Sequence, residues 1–472
     1  MAEHEVIVIG GGVSGLTVAH ALSRRADAPR ITLLEAGDCL GGKIAANDIA
    51  GRTIDAGPDA LLVRDPAVRA LLDDLGLTSE ITAPAARGSF VWTRGSLRVL
   101  PPATLFGVPE RLRPLIASGL ISWPGLLRAA ADLVLPRTRV RAADPTVGEL
   151  LRPRIGGEVF DRLVDPLLGG IYAGRADVLS ARSAVPEVAS ILAPARSVYR
   201  TMRAREAQRP KATGVPAPSL INFPGGMGRI ITALRQGMRA DVEYGAEVVR
   251  IKRKDNGRWR VRTADGRKFT ADEVVVAAPA HAAAAMLRKL DADLADALAA
   301  IPYASVANVT FAYPASAIPA HRQGTGFLVP AVDGRFIVGC TWMDEKWGRA
   351  VLTPTGEGEP AGADLTFIRA SIGRHGDERW VTMTDDEIVG RVHDELVLAM
   401  GITAPALHAR VQRWPEAMPQ YTVGHAERLA RIDARLAQHP GLHLTGAGYR
   451  GIGVASCLTK AQAVATQIGI GA

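Results

Sequence analysis

The sequence of 472 residues contains few cysteines and no C-x-x-C pair. Its three cysteines, Cys39, Cys340 and Cys457, are odd in number and far apart, which argues against a disulfide framework and indicates a reducing compartment. His439 and His443 have the spacing of metal ligands on a helix, but the proline and glycine between them would break that helix. We therefore expect neither structural disulfides nor a metal site.

Aromatic residues and lysines are also scarce. Aromatic residues make up 5% of the chain, and arginine outnumbers lysine 48 to 8 within a formal net charge of +8. Nucleic-acid binding favours a clustered basic face with aromatic residues between the charges, whereas these arginines are spread over the whole length. The composition therefore predicts no nucleic-acid partner and is compatible with an acidic small-molecule substrate.

Long hydrophobic runs and a signal peptide are absent from the sequence. The longest uncharged run near the middle, residues 114–127, falls short of the ~20 residues that span a bilayer. The first residues are charged and show no basic region or cleavage site. These two absences lead us to expect a soluble, cytoplasmic protein. Because the chain is too long for one hydrophobic core, we expect two or three domains. Contact with a membrane would be at most peripheral.

What the sequence does contain is a glycine-rich turn between a strand and a helix. The β-branched run Glu5–Ile9 leads into G-x-G-x-x-G, with glycines at 10, 12 and 15, and helical periodicity follows. Such glycines let the backbone approach a pyrophosphate at the positive end of the helix. A second strand ends at Glu35, whose carboxylate would accept hydrogen bonds from ribose hydroxyls. This pattern predicts a dinucleotide site.

A second glycine pair tells which dinucleotide is bound. Gly41, Gly42 and Lys43 follow Glu35 at the spacing E-x(5–7)-GG-[KR], which is typical of glutathione-reductase-like FAD proteins and is not required in a nicotinamide enzyme. Further pieces lie downstream: a glycine turn and amphipathic helix over 223–238, a buried strand at 274–279, and a C-terminal "TGAG" loop. A final helix beginning near Gly453 would direct its amide dipole at the flavin pyrimidine.

The order of these motifs resembles the protoporphyrinogen/coproporphyrinogen oxidase family of heme biosynthesis, within the amine oxidase and phytoene desaturase superfamily. The stretches that carry the resemblance are "GPDALLVRDP", "GGIYAGRADVLSARSAVPEV", "IPYASVANVTFAY", "GTGFLVP", "RASIGRHGDE" and "RWPEAMPQYTVGH". They occur in this order over nearly the full length. The resemblance implies an α/β fold, with a Rossmann-like FAD domain of the glutathione-reductase type, a mixed-sheet substrate domain and a helical insertion.

The resemblance also implies domain limits. We expect a discontinuous FAD domain over 1–84, 218–290 and 410–472, a substrate domain over 85–104 and 291–409, and a helical domain over 105–217 that faces a membrane or the substrate channel. Within the last, the polar, basic and proline-containing stretch 200–218 predicts a mobile loop.

Cofactor contacts follow by matching motifs. FAD is expected to be non-covalent, because no histidine or cysteine stands in a flavin-attachment motif. Lys43 could instead be a surface cation and Trp414 a core aromatic residue. The predicted cofactor residues are Gly10, Gly11, Gly12, Val13, Ser14, Gly15, Glu35, Ala36, Gly42, Lys43, Gly57, Pro58, Asp59, Ala60, Val248, Trp414, Gly446, Ile452, Gly453 and Val454.

The chemistry implied is oxidation of a porphyrinogen, with hydride passing from a methylene bridge to flavin N5 and molecular oxygen as acceptor. No catalytic side chain is expected, because the cofactor carries the hard step. Arg64, Arg87 and Arg94 are candidate ligands for substrate propionates, although each could be a solvated surface arginine. Some members of the family carry an arginine where this chain has Ser89, which leaves the propionate anchor open.

Coproporphyrinogen III, with four propionates, is the favoured substrate, and protoporphyrinogen IX is the alternative. Another amine oxidase or desaturase activity, or a non-enzymatic flavin-binding porphyrin carrier, stays open at this stage. The implied partners are the porphyrinogen, oxygen and a ferrochelatase that receives the product.

Overall fold

A computed structural model describes residues 4–102, 104–135, 142–208, 218–319, 323–348, 351–352 and 364–469. Its strands are β1 Glu5–Ile9, β2 Arg30–Leu34, β3 Ala46–Ile49, β4 Arg52–Asp55, β5 Leu61–Leu62, β6 Phe90–Thr93, β7 Ser96–Val99, β8 Thr104–Leu105, β9 Val108–Pro109, β10 Leu220–Ile221, β11 Asp241–Glu243, β12 Val248–Arg253, β13 Trp259–Thr263, β14 Lys268–Ala271, β15 Glu273–Val276, β16 Tyr303–Pro314, β17 Gly326–Leu328, β18 Ile337–Trp342, β19 Leu365–Ile372, β20 His408–Pro419 and β21 Leu442–Leu444.

The helices alternate with these strands in some regions and cluster in another. They are α1 Val13–Ser23, α2 Pro66–Asp74, α3 Leu112–Ser118, α4 Trp123–Ala130, α5 Val147–Ile155, α6 Gly157–Val159, α7 Asp165–Tyr172, α8 Ala181–Ala184, α9 Pro186–Leu192, α10 Val198–Ala207, α11 Gly228–Gln236, α12 Ala280–Leu287, α13 Ala292–Ala299, α14 Met343–Trp347, α15 Asp385–Met400, α16 His425–Leu436 and α17 Val454–Gln467.

A parallel sheet of five strands, in the order β11-β2-β1-β15-β21, carries the glycine-rich turn. Its central strands β1 and β15 are runs of valine and isoleucine, nearly all of them buried, because helices or strands cover both faces. Helices α1, α11 and α17 pack on one face, and α12, α13 and the β12-β13-β14 meander pack on the other. This arrangement confirms the α/β fold class predicted from the sequence.

A second, mixed sheet of seven strands has the order β20-β16-β19-β18-β17-β6-β7. Helix α15 covers it, burying Ile388, Val392 and Leu396. The limit predicted at residue 410 is wrong, because β20 pairs with β16 from Ala312–His408 to Tyr303–Pro419 and so belongs to this sheet. This pairing, with one irregularity between Ala304 and Val306, places β20 in the seven-stranded sheet, and the chain returns to the parallel sheet only at β21.

Helices α3 to α10 form a third region around their own apolar core, which includes Phe160 and Tyr199. The loop predicted over 200–218 is wrong in its first part, because Ser197 caps α10 by accepting a hydrogen bond from the Arg200 amide and the helix continues to Ala207. Residues 209–217 of that prediction lie outside the described residues. In the described part of the chain, no helix combines the length and the hydropathy needed to cross a bilayer.

Candidate functional site

The glycine turn between β1 and α1 leaves no room for side chains. Gly10 has φ +103°, which L side chains rarely adopt, and a Cβ on Gly15 would lie 1.9 Å from the Gly10 carbonyl oxygen. Gly12, the N-cap of α1, provides no side-chain cap, and a Cβ built there would approach only the Cα of Gly42, at 4.0 Å. The first amides of α1 thus face open space, as a phosphate site requires.

Glu35 lies at the end of β2, beside this turn. Its Oε2 accepts a hydrogen bond from the Gly11 amide at 2.6 Å, and its Oε1 accepts one from the Gly37 amide at 2.8 Å. Each carboxylate oxygen can accept a second hydrogen bond, so both keep capacity for ribose hydroxyls. The neighbouring Ala36 is exposed. Val248, predicted to act through its backbone, begins β12 and is buried.

Lys43 lines a recess close to the glycine turn. Gly41 pairs with Gly12 in an isolated parallel bridge, which holds the Gly41–Gly42 turn against α1. The Lys43 side chain is accessible to solvent, yet desolvation by the surrounding protein lowers its pKa. Cys457 and His281 are its charge-coupled neighbours. An accessible side chain surrounded by protein is what a deep binding recess produces.

The C-terminal loop supplies a second open helix end. The predicted helix start is confirmed, since α17 begins at Val454 with Gly453 as its N-cap and without a side-chain cap. A Cβ at Gly446 or Gly453 would meet nothing within 4 Å. The Tyr421 hydroxyl fixes this loop by donating to the Ala447 carbonyl at 2.6 Å and accepting from the Gly451 amide at 2.8 Å. Ile452 packs against the helical core.

Two open helix ends, a carboxylate and a glycine cradle fit an FAD molecule better than a single nucleotide. The α1 end would hold the pyrophosphate and Glu35 the adenosine ribose. The α17 end would stabilise negative charge on the flavin pyrimidine. These residues were all found from local sequence patterns.

The loop that joins β4 to β5 and contains Gly57–Ala60 is held by the seven-stranded sheet. Arg369 of β19 donates from Nη1 to the carbonyls of Asp55 and Gly57, at 2.7 and 2.8 Å. Asn308 and Trp414 both donate to the Ala56 carbonyl, at 2.8 and 3.2 Å. A Cβ on Gly57 would lie 2.0 Å from the Lys43 carbonyl oxygen, so this position requires glycine for close approach.

Asp59, the charged residue of this loop, is bound by three side chains. Its carboxylate pairs with Lys346 at 2.7 Å and Arg369 at 3.1 Å, and it accepts from Trp347 Nε1 at 3.2 Å. Although burial raises the pKa of Asp59, the two cations hold it well below its usual range. The carboxylate therefore fixes the loop, and the Asp59 side chain is already occupied by these three partners. Sequence reasoning missed Arg369 and Lys346.

Asp55 is a second buried carboxylate beneath the loop. Burial raises its pKa from 3.8 to about 6, even though Asn222 Nδ2 and the Met227 amide donate to it at 3.0 and 2.9 Å. The folded state therefore favours the protonated form more than the unfolded chain does. Stability from this group is complete below about pH 4 and is lost as the pH rises through 6.

We expect this titration to cost about 3 kcal/mol between pH 4 and 7, at about 1.4 kcal/mol per pKa unit. The Asp55→Asn variant cannot titrate, so the difference in unfolding free energy between wild type and variant should shrink by that amount over this range. Urea denaturation of both proteins at several pH values measures it, and other groups cancel in the comparison. A pH-independent difference would contradict the raised pKa.

The three predicted substrate arginines differ in their surroundings. Arg64 is exposed and makes no hydrogen bond or ion pair with other described residues. Arg87 lines a recess together with Asp344 and Glu345, whose carboxylates would repel a propionate. Arg94 is at the β6-β7 turn and is ion-paired with Glu158 of the helical region, so we do not propose it as a propionate ligand.

Comparison with known proteins fits this geometry. A family model described as flavin containing amine oxidoreductase matches residues 13–469. A coproporphyrinogen III oxidase from Bacillus subtilis is 32% identical over 97% of this chain and 96% of its own length. One from Mycobacterium bovis is 33% identical over 99% and 98%. A protoporphyrinogen oxidase from Macaca fascicularis is 29% identical over 98% of both chains.

A solved structure from Exiguobacterium sp. 255-15 superposes with a TM-score of 0.85, at 30% identity over 99% of both chains. A reduced UDP-galactopyranose mutase shares the fold, with a TM-score of 0.74 at 14% identity.

The fold, the site and the family model together define a flavin-dependent oxidoreductase. FAD, the cofactor predicted from the sequence, is confirmed. More particularly, the chain belongs to the flavin containing amine oxidoreductase family, on its coproporphyrinogen III oxidase branch. The resemblance read from the motifs is thereby confirmed.

Proposed function

We propose that this protein oxidises coproporphyrinogen III to coproporphyrin III, using non-covalent FAD and molecular oxygen. The observation that carries the proposal is the similarity to coproporphyrinogen III oxidases over almost the entire length of both chains. The open α1 and α17 ends and the recess at Lys43 support it, because they suit a dinucleotide whose redox ring lies near the C-terminal loop.

Bound FAD would supply a two-electron oxidation, in which flavin N5 accepts a hydride from a methylene bridge. Because coproporphyrin III has six hydrogens fewer than coproporphyrinogen III, three such oxidations would be needed, each of which reduces one O2 to H2O2. The protein's part is to hold the substrate carbon at ~3–3.5 Å from the acceptor atom. The Arg369 and Trp414 contacts keep the Gly57–Ala60 loop in one position, which sets one wall of the recess. Pyrrole protons can leave to water, so no general base is assigned.

Oxygen is proposed as the acceptor rather than NAD(P)H. The sequence matches G-x-G-x-x-G at residues 10–15 and 446–451, but only the first match ends inside a helix, and the glycine turn at 223–228 does not form another. Stopped-flow mixing with NADPH should leave the flavin oxidised.

Acid precipitation should release the yellow colour into the supernatant, since no attachment bond is expected. Colour retained by the precipitated protein would reject non-covalent binding.

Amine oxidation is the rival within the family. An amine substrate favours an aromatic cage at the flavin, but Tyr449, beside the C-terminal loop, is only 5% exposed and packs in the core. A non-enzymatic carrier would need no redox cofactor. Flavin bleaching under anaerobic conditions by coproporphyrinogen III, but not by amines, separates these functions.

Substrate choice is tested by kcat/KM for coproporphyrinogen III and protoporphyrinogen IX on the purified protein. We expect the tetracarboxylate to be preferred. A clear preference for protoporphyrinogen IX would reverse the assignment.

Arg64 remains a proposed propionate ligand, because it follows the Gly57–Ala60 loop and carries an unpaired charge among the described residues. Arg64→Ala should raise KM about ten- to a hundredfold, since a charge-assisted hydrogen bond is worth ~1.5–3 kcal/mol. The FAD spectrum should not change. Arg64→Lys should restore little, because a point charge cannot replace a bidentate pair. An unaltered KM in Arg64→Ala would retire this role.

We further propose peripheral membrane contact through the helical region. Trp123 and Leu127, one turn apart on α4, are 73% and 72% exposed, and Val134 beyond the helix is 74% exposed. Large apolar side chains so exposed on one side of a helix are typical of an interaction surface.

The double variant Trp123→Ser/Leu127→Ser should lower binding to anionic phosphatidylglycerol vesicles by about tenfold or more, because each buried apolar side chain contributes ~1.5–3 kcal/mol. Leu398→Ser on α15, 65% exposed, is the control and should bind like wild type. Equal vesicle binding by the double variant would contradict membrane contact. If the double variant binds vesicles like wild type but no longer co-sediments with a ferrochelatase, this surface is the site of product transfer.

A further inference from the structure

Arg374 follows β19 at the place where the seven-stranded sheet meets the helical region. The preceding Gly373 has φ +83°, and a Cβ there would lie 2.4 Å from Trp380 Nε1, so the chain turns sharply at this point. The His375 amide donates to the Ala173 carbonyl at 2.7 Å, which ties the turn to the residue that ends α7. These contacts fix the backbone of Arg374 between two regions of the protein.

The Arg374 side chain is buried without a direct partner. The residue is 6% exposed, and its side chain forms no hydrogen bond and no ion pair with any described residue, although its carbonyl accepts from the Asp377 amide at 2.8 Å. Although they have no partner, none of its side-chain nitrogens is completely sealed from solvent. Each of these nitrogens therefore keeps some contact with solvent.

The surrounding charges offset this guanidinium only in part: the carboxylates of Asp165 and Asp377 attract it without a direct ion pair, and Arg175 and Arg379 repel it. Asp377 is held bidentately by Arg379, with both N–O distances 2.7 Å. Asp165 accepts from the Ala176 amide at 2.9 Å and lies beyond ion-pair distance of Arg374. Arg175 adds a second, exposed cation nearby. A buried cation without a partner is costly, and an added anion would remove that cost.

The helix whose C-cap residue is bonded to this turn also carries an exposed apolar side chain. Helix α7 approaches β17 so closely that a Cβ on Gly170 would lie 3.4 Å from Leu328 Cδ2. The next residue, Ile171, is 39% exposed although the rest of this helix is largely buried. Ile171 lies two residues before Ala173, which is bonded to the residue after Arg374. An exposed apolar side chain and an unpaired guanidinium on joined segments suit a flat apolar ring with a carboxylate at its edge.

We propose that Arg374, assisted by Arg175, binds a propionate carboxylate of the porphyrinogen substrate and of the porphyrin product. This inference rests on the proposed function and adds a residue that determines substrate specificity. Arg374 can form two parallel hydrogen bonds to one carboxylate, which a lysine at the same place cannot.

The test uses the FAD-loaded protein and measures porphyrin binding by fluorescence, so it does not depend on turnover. Arg374→Gln should raise Kd for coproporphyrin III about tenfold or more, the usual effect of losing a charge-assisted bond. KM for coproporphyrinogen III should rise in parallel while kcat changes little. Arg288→Gln is the control, because it removes one exposed arginine charge, paired with Asp296, from another surface.

The number of carboxylates on the porphyrin gives a second readout. The discrimination between coproporphyrin III and the dicarboxylate protoporphyrin IX should fall in Arg374→Gln and be partly kept in Arg374→Lys. An unchanged Kd in a folded, yellow Arg374→Gln protein overturns the proposal. Should that variant not fold, Arg374→Lys decides, and full wild-type affinity in it overturns bidentate binding.

Failure of the proposed function itself is distinguishable. Wild-type protein that neither binds coproporphyrin III nor oxidises its porphyrinogen rejects that function. Wild-type activity together with an unaffected Arg374→Gln variant rejects only the role of Arg374.

Discussion

Replacing Arg369 by methionine is expected to lower the free energy of unfolding by about 3–5 kcal/mol, because it leaves the buried Asp59 carboxylate with one cation in place of two. It also removes both hydrogen bonds that hold the carbonyls of Asp55 and Gly57. Since this loop packs against the backbone of Lys43, a proposed FAD contact, FAD should dissociate more readily. Urea denaturation and FAD retention on a desalting column measure the two effects.

Arg369→Lys should recover part of the stability, because it restores the charge but not the three-way hydrogen bonding. Arg288→Met is a matched control: its ion pair with Asp296 is exposed, and its loss should cost within ~0.5 kcal/mol. A wild-type unfolding midpoint and full FAD content in Arg369→Met would show that the loop is held by its own backbone.

Gly15→Ala is expected to abolish FAD binding in most of the purified protein. The added Cβ would lie 1.9 Å from the Gly10 carbonyl oxygen, and neither atom belongs to a flexible side chain. A normal carbon–oxygen contact is about 3.3 Å or longer, so α1 would have to move away from β1 by more than 1 Å. The amides that face the pyrophosphate would move with it. The flavin-to-protein absorbance ratio after purification reports the loss.

Gly228→Ala offers the comparison for that result. Gly228 begins α11 and a Cβ there meets nothing within 4 Å, so alanine should be neutral or stabilising by up to ~1 kcal/mol through helix propensity. Equal FAD content in the two alanine variants would indicate that α1 can shift without losing the cofactor.

The sequence revealed the parts of the site that depend on short-range geometry. The glycine turn, Glu35 and the start of α17 each lie within a local pattern that backbone sterics and helix ends enforce. The contacts of Arg369 with the loop at Asp55 and Gly57 join residues more than 300 positions apart. No local pattern distinguishes that arginine among 48.

Arg374 was equally hidden, because its distinguishing property is burial without a partner, which only the packed structure reveals. The domain limit at 410 failed for a related reason. Strand β20 has no composition change at that position, and its assignment depends on pairing with β16, about a hundred residues earlier.

The position of α17 has a consequence for biosynthesis. This helix packs on α1, and β21 completes the edge of the parallel sheet beside β15, although both are translated after nearly every other element. While the ribosome is still making the preceding regions, the apolar side of α1 that α17 covers has no permanent neighbour. That face of α1 is therefore completed only when β21 and α17 have been synthesised, so the cofactor site that α1 and α17 share is assembled late.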